Sequence, residues 1–228
     1  MKKIIIIWLC LTLTSFSIYA QEFTLEYHIG YGLYNMSDMK NVLKSALHTN
    51  LSGVKTTDEF PGNFSHNLRM GVQINQHQFG VTYTYQNTSG QNHLADYSGE
   101  YRFKIKNTGN QLGVFYRYYF MQGKLSPFFQ IATGGIISNS SIEESIRVDK
   151  EKQNEEMTLT GINFFMQPSV GLRYNLFSQL ALIGTLGYEW APNGSLHLKG
   201  KRDMRSNYKI NWSGLRFSVG IITYFKMK

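Results

Sequence analysis

The chain has 228 residues and is rich in aromatic side chains, with 15 Tyr and 15 Phe, while it contains 21 Gly, 4 Pro and 1 Cys. Its formal net charge is +8, but the Lys and Arg residues are scattered or lie in predicted loops, so we expect no nucleic-acid partner. The single Cys is Cys10, inside a predicted export signal, so the mature chain is expected to contain no disulfide, no thiolate nucleophile and no Cys-based metal site.

The first 20 residues have the pattern of an export signal. Lys2 and Lys3 form a positive start, residues 4–18 are mostly apolar, and Ala20 is a small residue before the expected cut. The apolar run is too short and too polar at its end to favour a membrane-spanning helix. We therefore expect export by the Sec pathway, removal of residues 1–20, and a mature domain of residues 21–228.

Eight segments of the mature chain alternate large apolar residues with small or polar ones, which is the period-two pattern of β-strands. In the first segment, for example, Tyr27 and Ile29 alternate with His28 and Gly30. The eight predicted strands are residues 23–33, 64–74, 79–85, 112–120, 128–137, 166–174, 180–190 and 212–225.

The polar face of these strands indicates what surrounds them. It consists mostly of Gly, Ser and Thr with single charges near strand middles, whereas a water-facing sheet would carry Lys and Glu at every second position. This composition favours a narrow barrel whose polar face lines the lumen and whose apolar face meets lipid. Because a charge buried in a narrow lumen needs an opposite partner, we expect a lumen charge network. Its members are Glu26, Arg69, Arg117, Arg173, Glu189 and Arg216.

Connections between the predicted strands alternate between short and long. The short ones are residues 75–78, 121–127 and 176–179, and the long polar ones are residues 36–61, 87–110, 138–157 and 191–211. Bacterial barrels place short turns in the periplasm and long loops outside the cell. The sequence therefore predicts an all-β fold, namely an eight-stranded antiparallel up-and-down transmembrane barrel with both termini in the periplasm.

Two of the long connections contain further patterns. Residues 97–105 alternate, but the parity of their apolar residues changes before Leu112, so we interpret residues 97–106 as a β-extension of the loop joined to the next strand through a bulge at residues 108–110. A barrel strand at residues 97–106 remains the alternative. In the first long loop, Ser37 and Asp38 are predicted to cap a short helix with Met39 and Leu43 on one face. This helix lies either at the outer-leaflet interface or over the barrel mouth.

Together these features resemble the small outer-membrane β-barrel family that includes the OmpA barrel domain and OmpX-type proteins. The turn at residues 124–128, the Gly-rich strand at residues 133–135 and the terminal run at residues 220–225 support the resemblance. It implies a Gram-negative outer-membrane protein in contact with lipid and lipopolysaccharide, and we expect a monomer without a cofactor. It also implies a C-terminal signal for the barrel-assembly machinery, which maps onto Phe217, Val219, Ile221 and Phe225. The chain departs from the family pattern by three residues that follow Phe225.

Three classes of function fit such a barrel. The aromatic and basic outer loops favour a structural, adhesive or surface-recognition role towards an unknown surface ligand, with Tyr97, Tyr101, Arg102, Lys199, Arg202 and Arg205 as candidate binding residues. A narrow channel or a small-ligand-binding barrel is the alternative, although eight strands leave room for little more than side chains. A lipid-modifying enzyme is the second alternative, for which His93 with Asp96 and His197 with Asp203 are the pairs to test. We assign no catalytic residue and no metal site.

Overall fold

The computed structural model describes residues 22–46, 54–97, 99–148 and 151–226. The predicted export signal lies outside these residues. The described chain is almost entirely β-strand, which confirms the predicted fold class. The strands are β1 (Glu22–Gly32), β2 (Lys55–Glu59), β3 (Asn63–Ile74), β4 (His77–Asp96), β5 (Gly99–Tyr119), β6 (Leu125–Val148), β7 (Glu151–Phe177), β8 (Leu180–Glu189), β9 (Gly194–Leu198), β10 (Lys201–Ile210) and β11 (Gly214–Lys226), and the helix is α1 (Ser37–Ser45).

Eight of these strands close into a ring. Going around it, β1 pairs with β3, and β4, β5, β6, β7, β8 and β11 follow in order, all antiparallel. The ring is completed by β11 and β1, with Tyr27 opposite Ile221. A closed ring leaves no unpaired sheet edge facing lipid, which a strand-built membrane protein requires. The predicted eight-stranded up-and-down barrel is confirmed.

The outer surface of the ring is apolar. Leu112 and Val219 are 68% and 69% exposed, and Val81, Leu172 and many similar side chains on other strands point outward beside them. A continuous band of exposed apolar side chains around a closed barrel is the surface that a bilayer covers. Within the described ranges, no helix has both the length and the apolar character needed to cross a membrane.

Four strands continue far beyond the membrane. β4, β5, β6 and β7 have 20, 21, 24 and 27 residues, whereas crossing the hydrocarbon core takes about 9–11. Much of the polar sequence expected to form loops at residues 87–110 and 138–157 is therefore barrel wall. The β4–β5 ladder has no register shift from the pair His77 and Tyr118 to the pair Asp96 and Gly99. The expected bulge at residues 108–110 is wrong, and residues 99–106 belong to β5.

The change of parity that suggested a bulge has a different cause. Along all of β5 the odd-numbered residues face the interior, so Phe103 and Ile105 are buried on the same side as Arg117. Leu112 and Val114 face outward. Above the membrane the outside is water and apolar side chains belong inside, whereas within the membrane the outside is lipid and they belong outside. We call this change, between Ile105 and Leu112, the inversion point.

The extracellular mouth is filled by a buried apolar cluster, which we call the extracellular core. It includes Tyr34, Met36, Met39, Leu43, Phe60, Tyr101, Phe103, Ile105, Ile136, Ile142, Leu159, Leu196, Ile210 and Trp212. Helix α1 contributes Met39 and Leu43 to this core. Of the two expected positions, the helix therefore occupies the one over the barrel mouth and not the one at the outer-leaflet interface. The predicted side-chain cap is wrong, because Met36 precedes the helix in a left-handed conformation (φ 46°) without a side-chain hydrogen bond to the first turn. Near the C-terminal end of the helix, the side chain of Asn92 donates to the Leu43 carbonyl oxygen at 2.6 Å.

Candidate functional site

A layer of polar side chains crosses the lumen below the extracellular core. Its centre is a two-point contact in which the Nη1 and Nη2 atoms of Arg117 donate to Oε1 and Oε2 of Glu26 at 2.8 and 2.9 Å. Both side chains are fully buried. Such paired contacts between guanidinium and carboxylate combine charge with fixed geometry, and they are among the stronger hydrogen bonds in proteins. The pair therefore ties β1 to β5 across the lumen.

Neutral side chains complete this layer, which we call the lower polar layer and define as Glu26, His28, Arg69, Gln78, Arg117 and Gln130. The Gln130 side-chain oxygen accepts from Arg69 at 2.8 Å and from Arg117 at 2.8 Å. Gln78 donates to Glu26 at 2.6 Å, and His28 Nε2 lies 2.9 Å from the same carboxylate. Among the described residues, Arg69 forms no ion pair within 4 Å. The layer thus has one carboxylate for two guanidinium groups.

A second ion pair lies closer to the cell exterior. The register places Arg216 opposite Gly32 and Ile222 opposite Glu26, so Arg216 is six residues further along β11 towards the extracellular end. Its Nη2 donates to Glu189 Oε1 at 3.0 Å. Gln111 donates to both oxygens of the same carboxylate at 2.9 Å. The ion pair links β8 to β11, and Gln111 links both to β5.

Arg173 is separate from both groups and lies near the short turns. It donates to Gln73 at 3.0 Å, to the Tyr224 hydroxyl at 3.1 Å and to Ser126 at 3.3 Å. Its guanidinium carbon is 4.0 Å from the centre of the Tyr119 ring. All six charged residues expected in the lumen are thus buried on the inner face, but they form two groups and one isolated side chain. Their role as a stabilising network remains a prediction.

Sequence reasoning missed the glutamines. Gln78, Gln111 and Gln130 hold the guanidinium and carboxylate groups in place, and they are fully or almost fully buried. The signal was present in the sequence, because each has the inward parity of its strand. The prediction was limited to charged side chains, because a buried charge requires a partner, and it did not include neutral amides on the same face.

The residues of the expected assembly signal lie together on the outer face of β11. Phe217, Val219, Ile221 and Phe225 alternate with inward residues, and all four are 46–69% exposed. Phe225 packs against Phe23 with ring centres 6.0 Å apart. This placement leaves them in contact with lipid in the folded protein, and their use by an assembly machinery stays a prediction.

The expected loop-binding residues are not in one place. Tyr97 is fully exposed at the tip between β4 and β5, whereas Tyr101 is 5% exposed in the extracellular core, which does not fit contact with a surface ligand. Arg102 is half exposed and donates to Glu100 at 3.1 Å. Lys199 is in the turn between β9 and β10. Arg202 and Arg205 belong to β10, and their side chains lie outside the described part.

The histidine pairs considered for catalysis have other surroundings. His93 lies 3.3 Å from Glu100, and this hydrogen bond, with nearby Arg102 and Arg147, holds the pKa of Glu100 below its usual range. The side chains of Asp96 and Asp203 are outside the described part, so neither expected pair is described. Within the described ranges, no group of three or more His, Cys, Asp and Glu residues is arranged to hold a metal ion.

Proteins similar to this chain are found among solved structures. No protein-family model matches the sequence, and no curated protein matches it. Among solved structures, the chain is similar to Neisserial surface protein A, with 15% identity over 90% of this chain and 97% of that chain and a TM-score of 0.38. It is similar to a major outer membrane protein from Thermus thermophilus, with 11% identity over 89% and 99% of the two chains and a TM-score of 0.46.

A third similar structure is the N-terminal β-barrel domain of Pseudomonas aeruginosa OprF, with 11% identity over 89% of this chain and 97% of that chain and a TM-score of 0.36. These neighbours are small outer-membrane β-barrel proteins, the class that the sequence resembles. The assignment of the fold rests on the chain's own closed ring and apolar outer surface.

Proposed function

We propose that this outer-membrane β-barrel protein acts at the cell surface, in an adhesive or structural role, and recognises anionic groups through the extracellular part of its wall. The observation that carries the proposal is the length of β4 to β7, which continue past the inversion point as an ordered sheet. A barrel that served only to cross the membrane would need strands of about 9–11 residues. The additional strand length is exposed to the cell's surroundings.

The filled interior favours a surface role over conduction. Trp212, Ile105 and Met39 are fully buried in the extracellular core, and Arg117 and Glu26 cross the lumen beneath them. Water-filled pores need barrels with more strands, because an eight-stranded ring is filled by its own side chains. Planar-bilayer recordings of the purified protein should therefore show no discrete conductance steps.

The charge of the outer hairpins points to the chemistry of the ligand. The β9–β10 hairpin is basic and contains one acidic residue, Asp203, whereas the β6–β7 hairpin carries two pairs of opposed Glu residues several positions before its tip. The basic residues are Lys199, Lys201, Arg202, Arg205 and Lys209, and the Glu residues that lie opposite one another on β6 and β7 are Glu143, Glu144, Glu155 and Glu156. Positive charge gathered on one hairpin attracts polyanions such as lipopolysaccharide phosphates or sulfated polysaccharides.

Binding to immobilised dextran sulfate tests this proposal. Replacing the five basic residues of the β9–β10 hairpin with Gln is expected to weaken binding at least about tenfold, and added salt is expected to weaken wild-type binding because it screens exposed charges. Replacing the four opposed Glu residues of the β6–β7 hairpin with Gln is the matched control, and it should preserve or strengthen binding. Wild-type protein that does not bind the polymer, or equal binding by the basic-hairpin variant, contradicts the proposal.

The proposal includes a route to the membrane. Export by Sec and insertion by the barrel-assembly machinery are consistent with the positive and apolar N-terminal sequence and with the aromatic end of β11. Lipopolysaccharide in the outer leaflet is then a constant neighbour of the basic hairpin. Comparing vesicles with and without lipopolysaccharide would show whether it competes with dextran sulfate for the same residues.

A further inference from the structure

The pairing partner of β7 changes at the level of the inversion point. On the membrane side, β8 pairs with β7 as far as a bridge between Met166 and Trp190. On the extracellular side, β9 pairs with β7 from Thr160, which lies opposite His197. Within the described ranges, residues 161–165 pair with neither β8 nor β9. The wall therefore has a gap in its ladder where the two partners of β7 follow each other.

A cavity of about 1100 Å³ opens at this gap, and we call it the boundary notch. It is defined by Ile137, Thr160, Ile162, Phe164, Ser195 and His197, which line it. Ile162 and Phe164 have the same parity along β7 as the lipid-facing Val170, and Ile162 is 75% exposed. The notch therefore opens on the outer side of the wall, away from the lumen.

The notch has an apolar part and a polar part that meet at the membrane boundary. Ile137 and Ile162 lie opposite each other, and Ile137 also lies opposite Asn110, which is within the inversion point. Phe164, two residues nearer the membrane centre, completes an exposed apolar floor. Thr160 lies two residues beyond Ile162 on the water side. The notch thus offers an apolar surface to lipid chains and a polar surface to lipid headgroups.

Two exposed lysines of the β9–β10 hairpin lie beside the notch. Lys209 lies opposite Ser195, and residues opposite each other project from the same face of a sheet. The backbone N–H of Lys199 donates to the Thr158 carbonyl oxygen at 3.0 Å, which holds the hairpin turn against β7. Among the described residues, neither lysine forms an ion pair within 4 Å. Two cations without a counter-charge therefore lie next to the polar part of the notch.

We propose that the boundary notch binds one molecule of lipid A, the phosphorylated anchor of lipopolysaccharide. An acyl chain lies on the apolar floor, and the phosphates pair with Lys199 and Lys209. Lysines grouped near a membrane surface attract anionic lipid headgroups. Lipid A carries two phosphates, so it matches this pair of cations better than a phospholipid with one. This inference rests on the proposed function, because it uses cations of the same basic hairpin.

Contact with lipid alone does not make a binding site, since every outward apolar side chain of the barrel touches lipid. The notch differs because a concave apolar surface and unpaired positive charge occur together. A site formed by both predicts that filling the cavity and removing the charge each weaken binding. A charged surface without a cavity predicts that only the charge matters.

Native mass spectrometry of the mature protein, refolded from urea into detergent without lipopolysaccharide, counts the bound lipid A molecules. Wild type is expected to bind one molecule saturably. Lys199→Gln combined with Lys209→Gln should raise the dissociation constant at least about tenfold. Ser195→Trp, which fills the notch from an exposed position, should raise it by a similar factor and leave dextran sulfate binding unchanged.

The matched control is Lys104→Gln combined with Lys106→Gln. It removes two lysines from the outward face of β5, away from the notch, and should leave the dissociation constant for lipid A unchanged. Phosphatidylglycerol and lipid A stripped of its phosphates are the ligand controls, and both should bind more weakly than intact lipid A. Equally tight binding of either one would contradict the assignment of the ligand.

The site is overturned if wild type binds no lipid A or binds it without saturation. It is also overturned if either notch variant binds as well as wild type, or if the β5 control loses binding to the same extent. Should Ser195→Trp fail to fold, the double lysine variant, whose changes are exposed, decides. Wild type that binds dextran sulfate but not lipid A contradicts this inference alone, whereas wild type that does not bind dextran sulfate contradicts the proposed function.

Discussion

Arg117 on β5 and Glu26 on β1 contact each other through two hydrogen bonds although their strands are three positions apart around the ring. The contact therefore crosses the lumen instead of following the wall. Glu26→Gln should destabilise the barrel by about 3–5 kcal/mol, because it leaves the Arg117 guanidinium buried without its counter-charge. The measurement is urea-induced unfolding in lipid vesicles.

The double variant Glu26→Gln with Arg117→Met is the control for this prediction. It removes both charges, so it should unfold at a higher urea concentration than Glu26→Gln alone. The exposed Glu143→Gln should have little effect, because surface ion pairs contribute on the order of 0–1 kcal/mol. If the free energy of unfolding of the double variant is lower than that of Glu26→Gln by as much as Arg117→Met alone lowers it in wild type, the two side chains do not act as a pair.

Trp212 should be the most sensitive position of the extracellular core. It is fully buried, packs edge-on against Tyr34 with ring centres 5.2 Å apart, and donates from Nε1 to the Ser138 hydroxyl at 2.9 Å. Trp212→Ala is expected to cost about 3–5 kcal/mol. Trp212→Phe keeps an aromatic ring but loses the hydrogen bond and some volume, so it should cost less. Equal losses for the two variants in thermal unfolding would argue against the packing role.

Two glycines on neighbouring strands form a matched pair. A Cβ added to Gly171 would lie 2.3 Å from the Phe128 ring and 2.4 Å from the Gly184 carbonyl oxygen, whereas a Cβ on Gly184 would meet nothing within 4 Å. Gly171→Ala should therefore destabilise the barrel by about 1–3 kcal/mol through overpacking. Gly184→Ala should be neutral or stabilise it by about 0.4–1 kcal/mol, since Ala restricts the unfolded chain. Unfolding in urea ranks the two variants, and the reverse order would contradict this packing.

The depth of the inversion point can be measured. The mature chain is expected to have no cysteine, so single cysteines at the outward positions Lys106 and Leu112 can carry a fluorescent label. Brominated lipid chains should quench the label at position 112 strongly and the label at position 106 weakly, because only the first faces hydrocarbon. A water-soluble quencher should give the opposite order. Equal quenching at both positions would place the boundary elsewhere.

The rim contact between His93 and Glu100 predicts a pH effect. Since the folded protein lowers the pKa of Glu100, ionised Glu100 contributes stability that is present above its unfolded pKa. That contribution is lost as the pH falls through the lower, folded pKa. Carbon-detected titration of the Glu100 carboxyl should show the shift, and His93→Gln should reduce it. Arg102→Gln should reduce it less, because the hydrogen bond from His93 is the larger cause.

The sequence predicted the membrane-spanning part of the fold well because one physical rule governs it. Lipid outside and a narrow lumen inside force strict alternation, so strands such as residues 23–33 and 64–74 were recognisable, and the inward parity of Glu26 and Arg117 was visible. The alternation of β5 was visible too, but its parity change was misread at residues 108–110. An alternating pattern does not show whether water or lipid lies outside the strand. Outside the wall there is water at the level of Ile105 and lipid at the level of Leu112, so their side chains face opposite sides.

The candidate sites were less predictable for a related reason. The position of Arg173 near the short turns follows from its place in β7, but its hydrogen bonds depend on where Gln73, Ser126 and Tyr224 point. These residues come from three other strands. Likewise, Tyr101 is an aromatic residue in a polar outer segment, which is typical of a binding residue. Its burial becomes visible only when the barrel closes around it.

The inversion point also has a consequence for how the strands find their partners. A slip of β5 by one residue would expose Ile105 to water and turn Leu112 into the lumen at the same time, so the error is penalised on both sides of the membrane boundary. In a strand that ends at the membrane boundary, the same shift would be penalised only within the membrane. A strand that crosses the inversion point therefore disfavours register shifts more strongly, and this stabilises the correct β4–β5 register while the barrel assembles.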